Sequence, residues 1–186
     1  MNHLTREQLD AGLAHIEGSP KDDGTLDLIV RRPQPLDREV VEHAELSLDE
    51  GLVGDSWNRR FSKRTDDGSP HPDMQLNIMN SRVIGLIAGS AERHALAGDQ
   101  LFVDLDLSAD NLPPGTRLAI GSVVIEITDQ PHNGCAKFTE RFGIDAARWV
   151  NGDDGNRLKL RGINAKVVVP GSLSRGNRVT KLSVQR

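Results

Sequence analysis

The sequence predicts a β-rich α+β domain, an antiparallel or mixed barrel carrying only short helices. Three observations lead there. Apolar residues recur with a period of two over many short segments, turn residues separate those segments, and no long helix alternates with the strands as a doubly wound sheet requires. The chain has 186 residues, the length of one ordinary domain able to close a single core. We read residues 1–186 as that single domain, with residues 4–18 as an N-terminal helical appendage.

In the appendage, Thr5 with Gln8 has the form of a capping box, and Leu4 pairs with Leu9 as a staple. Leu9, Leu13 and Ile16 share one face, and Gly18 followed by Pro20 stops the helix. From Thr25 the period becomes two: Leu26, Leu28 and Val30 alternate with Asp27, Ile29 and Arg31 until Pro33 and Pro35 end the strand. A second strand is expected over Glu39 to Leu48. Residues 50–72 lack periodicity and read as a long loop, a length associated with function or disorder. A short strand follows at Gln75 to Met79. Ser81 is expected to cap a helix ending near Gly89, and Ser90 to start another ending near Gly98.

The clearest alternation comes next, with Leu101, Val103, Leu105 and Leu107 opposite Phe102, Asp104, Asp106 and Ser108. Pro113-Pro114-Gly115 is a turn. Arg117 to Ile120 and Val123 to Thr128 form a hairpin around Gly121. Helical pieces are expected at Ala136 to Phe142 and Asp145 to Val150, and strands at Ile163 to Val169 and Arg178 to Val184.

Composition excludes several functions. The formal net charge is −4, so nothing draws the whole chain to phosphate backbones or anionic membranes. With 3% aromatic residues and no tyrosine, it lacks the stacking faces of a single-strand nucleic-acid reader. The one cysteine permits no internal disulfide, and the N-terminus has no signal-peptide pattern, so a cytoplasmic location is expected. Phosphate-loop, dinucleotide, nucleophile-elbow and zinc-protease motifs are absent.

The chemistry centres on Cys135. It follows a turn-forming Asn133-Gly134 and precedes a predicted helix, where amide donors and the helix dipole favour a thiolate. Lys137 and Arg141 add positive charge, and His132 is near enough in sequence to exchange a proton. These are the requirements of a reactive thiolate or a soft metal ligand, set against the ordinary fate of a free cysteine as a small buried hydrophobe. A zinc site built from protein alone would need further paired ligands, which the remaining histidines do not offer. Basic residues gather as Arg59, Arg60, Lys63 and Arg64 and as Arg157, Lys159 and Arg161. Either group is a solvated surface or part of an anion pocket. Arg161 is the stronger candidate, because Gly162 beside it would let a ligand approach the backbone.

The ordered series EGLVGDSW, PDMQLNIMN, AGDQLFVDLDLSADNLPPGTRLAIGSVVIEIT, PHNGCAKFTERFGIDAARWV and RLKLRGINAKVVVPGSLSRGNRV resembles the MOSC domain family, over residues 38–184. That family includes the C-terminal domain of molybdenum cofactor sulfurases and stand-alone bacterial proteins. The resemblance implies a mixed β-barrel and a molybdenum cofactor (molybdopterin) as ligand. It also implies a cysteine, here Cys135, that carries sulfur or ligates molybdenum, while basic residues hold the pterin phosphate. By motif position it points to His132 beside Cys135, to Lys137 and Arg161 for the phosphate, and to Asn77 and Asp55. Two departures stand out: Gly134 replaces the proline that many relatives place before the cysteine, and Ser56-Trp57 replaces a histidine after Gly54-Asp55. A chain of this length has no room for a pyridoxal-phosphate desulfurase domain, so sulfur would come from a partner cysteine desulfurase or pass to a molybdoenzyme. The expectation is a sulfur-transfer protein or a small molybdenum-dependent oxidoreductase acting on N-hydroxylated compounds. The alternative is a non-catalytic anion-binding or interaction module on the same barrel.

Overall fold

The computed structural model describes residues 3–183. The strands are β1 (Gly24–Arg31), β2 (Glu39–Val41), β3 (His43–Ser47), β4 (Gly51–Leu52), β5 (Leu76–Asn80), β6 (Leu101–Asp104), β7 (Arg117–Ile120), β8 (Val123–Ile127), β9 (Ile163–Val169), β10 (Gly171–Ser174) and β11 (Arg178–Leu182). The helices are α1 (Arg6–Ala11), α2 (Leu13–Glu17), α3 (Ser81–Ala88), α4 (Ala136–Phe142), α5 (Ile144–Asn151) and α6 (Asp153–Arg157).

Seven strands close a barrel in the order β1-β6-β5-β9-β8-β7-β11, and β11 returns to β1. Among the described residues only β5 and β6 run parallel, through the pairs Ile78 with Leu101 and Asn80 with Val103, which makes the barrel mixed. β1 closes it by changing partners along its length: Gly24 and Thr25 face β11, whereas Ile29 to Arg31 face β2. A small second sheet, β10-β3-β4, flanks the barrel. Among the described residues, no helix is long and apolar enough to cross a membrane.

Two buried clusters form the core. Leu26, Ile29, Ile78, Leu101, Val103, Leu118, Ile125 and Val167 fill the barrel. Met79, Phe102, Phe138, Phe142, Trp149 and Leu9 pack outside it under the helices. Strand neighbours such as Ile78 and Met79 fall in different clusters because successive side chains point to opposite faces. Each large side chain so buried contributes about 1.5–3 kcal/mol.

The register of β1 corrects the sequence reading. Its pairing with β6 shifts between Leu26 and Leu28, and a bulge of this kind puts one extra residue on the bulged strand. Leu26 and Ile29 therefore enter the barrel while Leu28 and Val30 face the helical layer. Strict alternation placed Ile29 on the wrong face. Other boundaries move as well. The N-terminal helix breaks at Gly12 into two short pieces. The strand expected over Glu39 to Leu48 is two strands, β2 and β3. Asn80, not Ser81, caps α3, its Oδ1 accepting from the backbone N–H groups of Arg82 and Val83. The segment between Ser90 and Gly98 is a 3-10 helix over Ala91–Ala97, wound more tightly than the α-helix expected there. β6 ends at Asp104, yet Leu105 and Leu107 still reach the barrel core. β4 forms inside the segment expected to be loop, and β10 and α6 lie where the sequence predicts no element. Val184, the end of the last predicted strand, lies outside the described residues. The N-terminal capping box between Thr5 and Gln8 forms as its spacing predicts.

Candidate functional site

Two Gly-Asp turns build the floor of the site. Gly54 (φ +80°) and Gly98 (φ +88°) both sit in the left-handed region, where a residue without a Cβ is not strained. Each is followed by a fully buried aspartate, Asp55 and Asp99, and each aspartate grips an arginine from a distant strand or loop. Asp55 accepts from Arg32 Nε at 2.8 Å and Nη2 at 2.9 Å, and from the backbone N–H of Arg32 and Trp57. Arg32 Nη1 then donates to the Gly98 carbonyl at 2.7 Å and to Asn77 Oδ1 at 3.0 Å, which ties the two turns together. Asp99 accepts from Arg161 Nη1 at 2.8 and 3.0 Å and pairs with His132 Nε2 at 2.7 Å. The Arg161 guanidinium also lies 5.0 Å over the Phe138 ring.

Burial raises the cost of charge on Asp99, but Arg161 and His132 outweigh it and hold the carboxyl down to about 2. An ionised carboxylate only accepts, so the proton shared with His132 resides on Nε2 and leaves Nδ1 as an acceptor. Burial, followed by the Arg161 charge, keeps the His132 imidazole below its ordinary range. His132 is therefore neutral at physiological pH. Asp55 is likewise ionised: burial opposes its charge, and the hydrogen bonds and charge of Arg32 lower it more strongly.

Above this floor opens a cavity of about 590 Å³. Arg32, Arg38, Arg59, Arg60, Lys137, Arg141 and Arg161 line it, and among the described residues no carboxylate does. Of these cations, only Arg32 and Arg161 have a carboxylate partner among the described residues. Crowding shows in their titration. Lost hydration of the guanidinium and then the Arg32 charge bring Arg60 down to about 10, although the residue as a whole is exposed, and burial followed by Arg141 lowers Arg38. The Nε atoms of Arg38 and Arg161 are buried with no hydrogen-bond partner. Pro33, Pro35 and Leu36 supply an apolar lip. Leu36 is 66% exposed with φ +74°.

Cys135 lies on the same cavity wall, exposed, at the N-terminal end of α4. What precedes it is clamped. The Gly134 N–H donates to Asn151 Oδ1 at 2.9 Å, and Asn151 Nδ2 donates back to the Gly134 carbonyl at 3.1 Å. A proline at this position would have no N–H to give, so the side chain of Asn151 fixes a backbone that a proline ring would fix covalently.

The structure thus brings Cys135, His132, Lys137, Arg161 and Asn77 together around one cavity, with Arg59 and Arg60 joining them. Asp55 stands apart, behind Arg32 and off the cavity wall. Lys63 and Arg64 do not line the cavity, and Arg64 bonds Gln130 instead. Arg157 turns to Glu17 and Asp154, while Lys159 lines a smaller cavity of about 140 Å³ on which His132 and Arg161 also border. Gly162 has a different reason from the one its neighbour suggested. At φ +109° a Cβ would strike the Ile78 carbonyl oxygen and press on the His132 ring, so its smallness admits β5 and not a ligand. Sequence reasoning missed Arg32, Arg38, Asp99 and Asn151. The second Gly-Asp pair was the available signal for Asp99.

No group of three or more His, Cys, Asp or Glu side chains able to hold a metal exists among the described residues. No family model matches the chain, and no curated protein matches it. Solved structures do. The YuaD protein from Bacillus subtilis aligns with TM-score 0.65 and 16% identity, covering 87% of this chain and 97% of that one. YiiM from Escherichia coli aligns with TM-score 0.57 and 21% identity over 87% and 71% of the two chains. YiiM from Geobacillus stearothermophilus gives 0.57 and 14% over 86% and 75%. The barrel fits a MOSC-type fold. At these identities the likeness is one of fold, and function rests on the site.

Proposed function

We propose that this chain is a molybdenum-cofactor-associated protein that binds the pterin phosphate in the cationic cavity and presents Cys135 to the metal end of the same ligand. The observation that carries this reading is the sharing of one cavity by an exposed thiol and a set of cations without carboxylate partners. The donor set suits the group: unpartnered Nε atoms and charged guanidinium groups suit a phosphate, and a thiolate suits a soft metal or a sulfane sulfur. Arg161 and Lys137 would hold the phosphate with Asn77 beside them, and Asp55 would act only through Arg32. Bound there, the cofactor would supply oxygen-atom or sulfur chemistry at molybdenum.

The chain's own residues have separate tasks. Asp99 holds Arg161 in place and fixes the tautomer of His132, leaving Nδ1 of the neutral ring available as an acceptor. Asn151 fixes the backbone before Cys135. The thiolate either carries sulfur received from a partner cysteine desulfurase, destined for a molybdoenzyme, or ligates molybdenum in a small oxidoreductase. Purification from a host that makes the cofactor tests the reading through pterin fluorescence after oxidation. Wild type should retain pterin and Arg161→Ala should lose it, and an absence of pterin from wild type would sink the proposal.

A second reading, a non-catalytic anion-binding module, draws on one observation. His132 Nε2 is committed to Asp99, and no hydrogen bond joins His132 to the Cys135 sulfur among the described residues. It predicts that the thiol reacts no faster than a free cysteine and that Cys135→Ser leaves anion affinity unchanged.

A further inference from the structure

An exposed leucine needs no explanation by itself, but Leu36 sits where a leucine is unfavourable. The Asp37 N–H donates to the Gln34 carbonyl at 3.1 Å, which closes a β-turn with Pro35 and Leu36 at its centre. The ring of Pro35 excludes the positive φ that a primed turn requires at that position. With Leu36 at φ +74° the turn is therefore of type II, whose third residue is ordinarily glycine or asparagine. A bulky side chain in that region is strained. Leu36 is also 66% exposed, so burial within the chain does not offset the strain.

The turn is anchored to the cationic wall. Pro33 and Pro35 restrict its backbone, and Arg59 Nη2 donates to the Pro33 carbonyl at 2.9 Å. Arg32 and Arg38 stand on either side of it, and residues 32–36 line the cavity together with Arg38. Exposure sorts these residues by depth. Arg32 is buried, Pro33 and Arg38 are half-buried, and Leu36 stands at the rim. One short segment thus offers guanidinium groups below and an apolar tip above. A cavity of about 590 Å³ falls in the range of sites that enclose a whole small molecule, roughly 300–1,000 Å³.

We infer that Leu36 is a specificity-determining residue of this cavity. It packs on the ring-bearing body of a ligand whose anionic group lies among the arginines below. The inference rests on the proposed function only for naming that body as the pterin ring. Backbone strain gathers at ligand clamps, where the contact it makes possible matters more than the stability lost. A bare oxyanion held by the arginines gains nothing from the tip. Leu36 therefore separates ring-bearing phosphates from inorganic phosphate.

Calorimetry on the full chain with 2-naphthyl phosphate and inorganic phosphate tests this, for wild type beside Leu36→Asn and Leu36→Met. Asparagine accepts a positive φ but supplies no apolar surface, whereas methionine keeps both the strain and the contact. Wild type should bind naphthyl phosphate at least tenfold more tightly than phosphate. Leu36→Asn should cut that advantage at least fivefold, leave phosphate within twofold, and melt at a higher temperature than wild type. Leu36→Met should keep the advantage within twofold and melt like wild type. No naphthyl advantage in wild type, the outcome expected if the tip meets a partner protein instead, would overturn the inference. An advantage that survives Leu36→Asn, or an Asn variant that melts no higher than wild type, would overturn it as well. Its failure is separable from that of the cofactor reading. Pterin retained with no naphthyl advantage removes only the role of Leu36, and a Leu36-dependent advantage with no pterin retained removes only the cofactor.

Discussion

The Asp99 carboxylate grips both Arg161 Nη1 and His132 Nε2, so one buried anion positions a cavity cation and a cavity base together. A parallel arrangement joins Asp55 to Arg32. Each pairing places a guanidinium on the cavity floor with its orientation fixed in advance, and a bidentate or forked geometry gives arginine a precision that lysine lacks.

Removing either anion leaves a buried, uncompensated cation. Asp99→Ala is expected to cost about 3–5 kcal/mol, the range for breaking one side of a buried pair. Urea unfolding measures it. A loss below about 1 kcal/mol, the scale of exposed pairs, would contradict the burial argument.

The same pair sets an acid limit on stability. The Asp99 pKa is depressed in the fold relative to its ordinary 3.8, so its contribution is complete above that value and vanishes as the pH falls towards about 2. His132 acts at higher pH. Its folded pKa is lowered from 6.5, so the unfolded chain takes up the proton first and stability begins to fall as the pH drops below that point. His132→Gln should flatten the stability profile just below pH 6.5 and leave the steeper acid loss in place. A profile unchanged in that window would show that His132 is not held neutral by the fold.

Gly162 is expected to tolerate no side chain. Its φ of +109° and the Ile78 carbonyl in the path of a Cβ put the cost of Gly162→Ala at roughly 2–3 kcal/mol. The strain presses on β5 and His132, so thermal melting should shift downwards.

Asn151 offers a cleaner probe of the Cys135 loop. Asn151→Ala removes both hydrogen bonds to Gly134, each worth about 0.5–1.5 kcal/mol net, without touching the cavity lining. Amide exchange at Gly134 and Cys135 should quicken while exchange in the barrel strands stays the same. Equal exchange in both proteins would mean that the backbone before the cysteine is held by something else.

Much of this architecture was legible in the sequence because it is local. The hairpin around Gly121, the turn at Gly115, α4 and β9 follow from spacing and turn chemistry alone. What escaped was long-range. The bulge in β1 depends on its pairing with β6, and it changes which face Ile29 takes. Arg32 lies at the end of an ordinary strand, and nothing near it in sequence reveals a partner 23 positions away in Asp55. Asp99 lies in the segment AGDQLFVD but gains a role only through Arg161, 62 positions on, which folds onto it. The candidate site was recognised through Cys135, Lys137 and Arg161. Its floor became visible only where the two Gly-Asp turns meet.

The most direct test of the central claim is molybdenum and pterin content per chain, in protein purified from a host that makes the cofactor, for wild type beside Cys135→Ser. The account predicts pterin in both proteins, because the cations that hold its phosphate are untouched, with molybdenum or labile sulfur reduced only in the variant. Wild-type protein carrying neither molybdenum nor pterin would contradict it and leave the cavity as an anion-binding site of another kind.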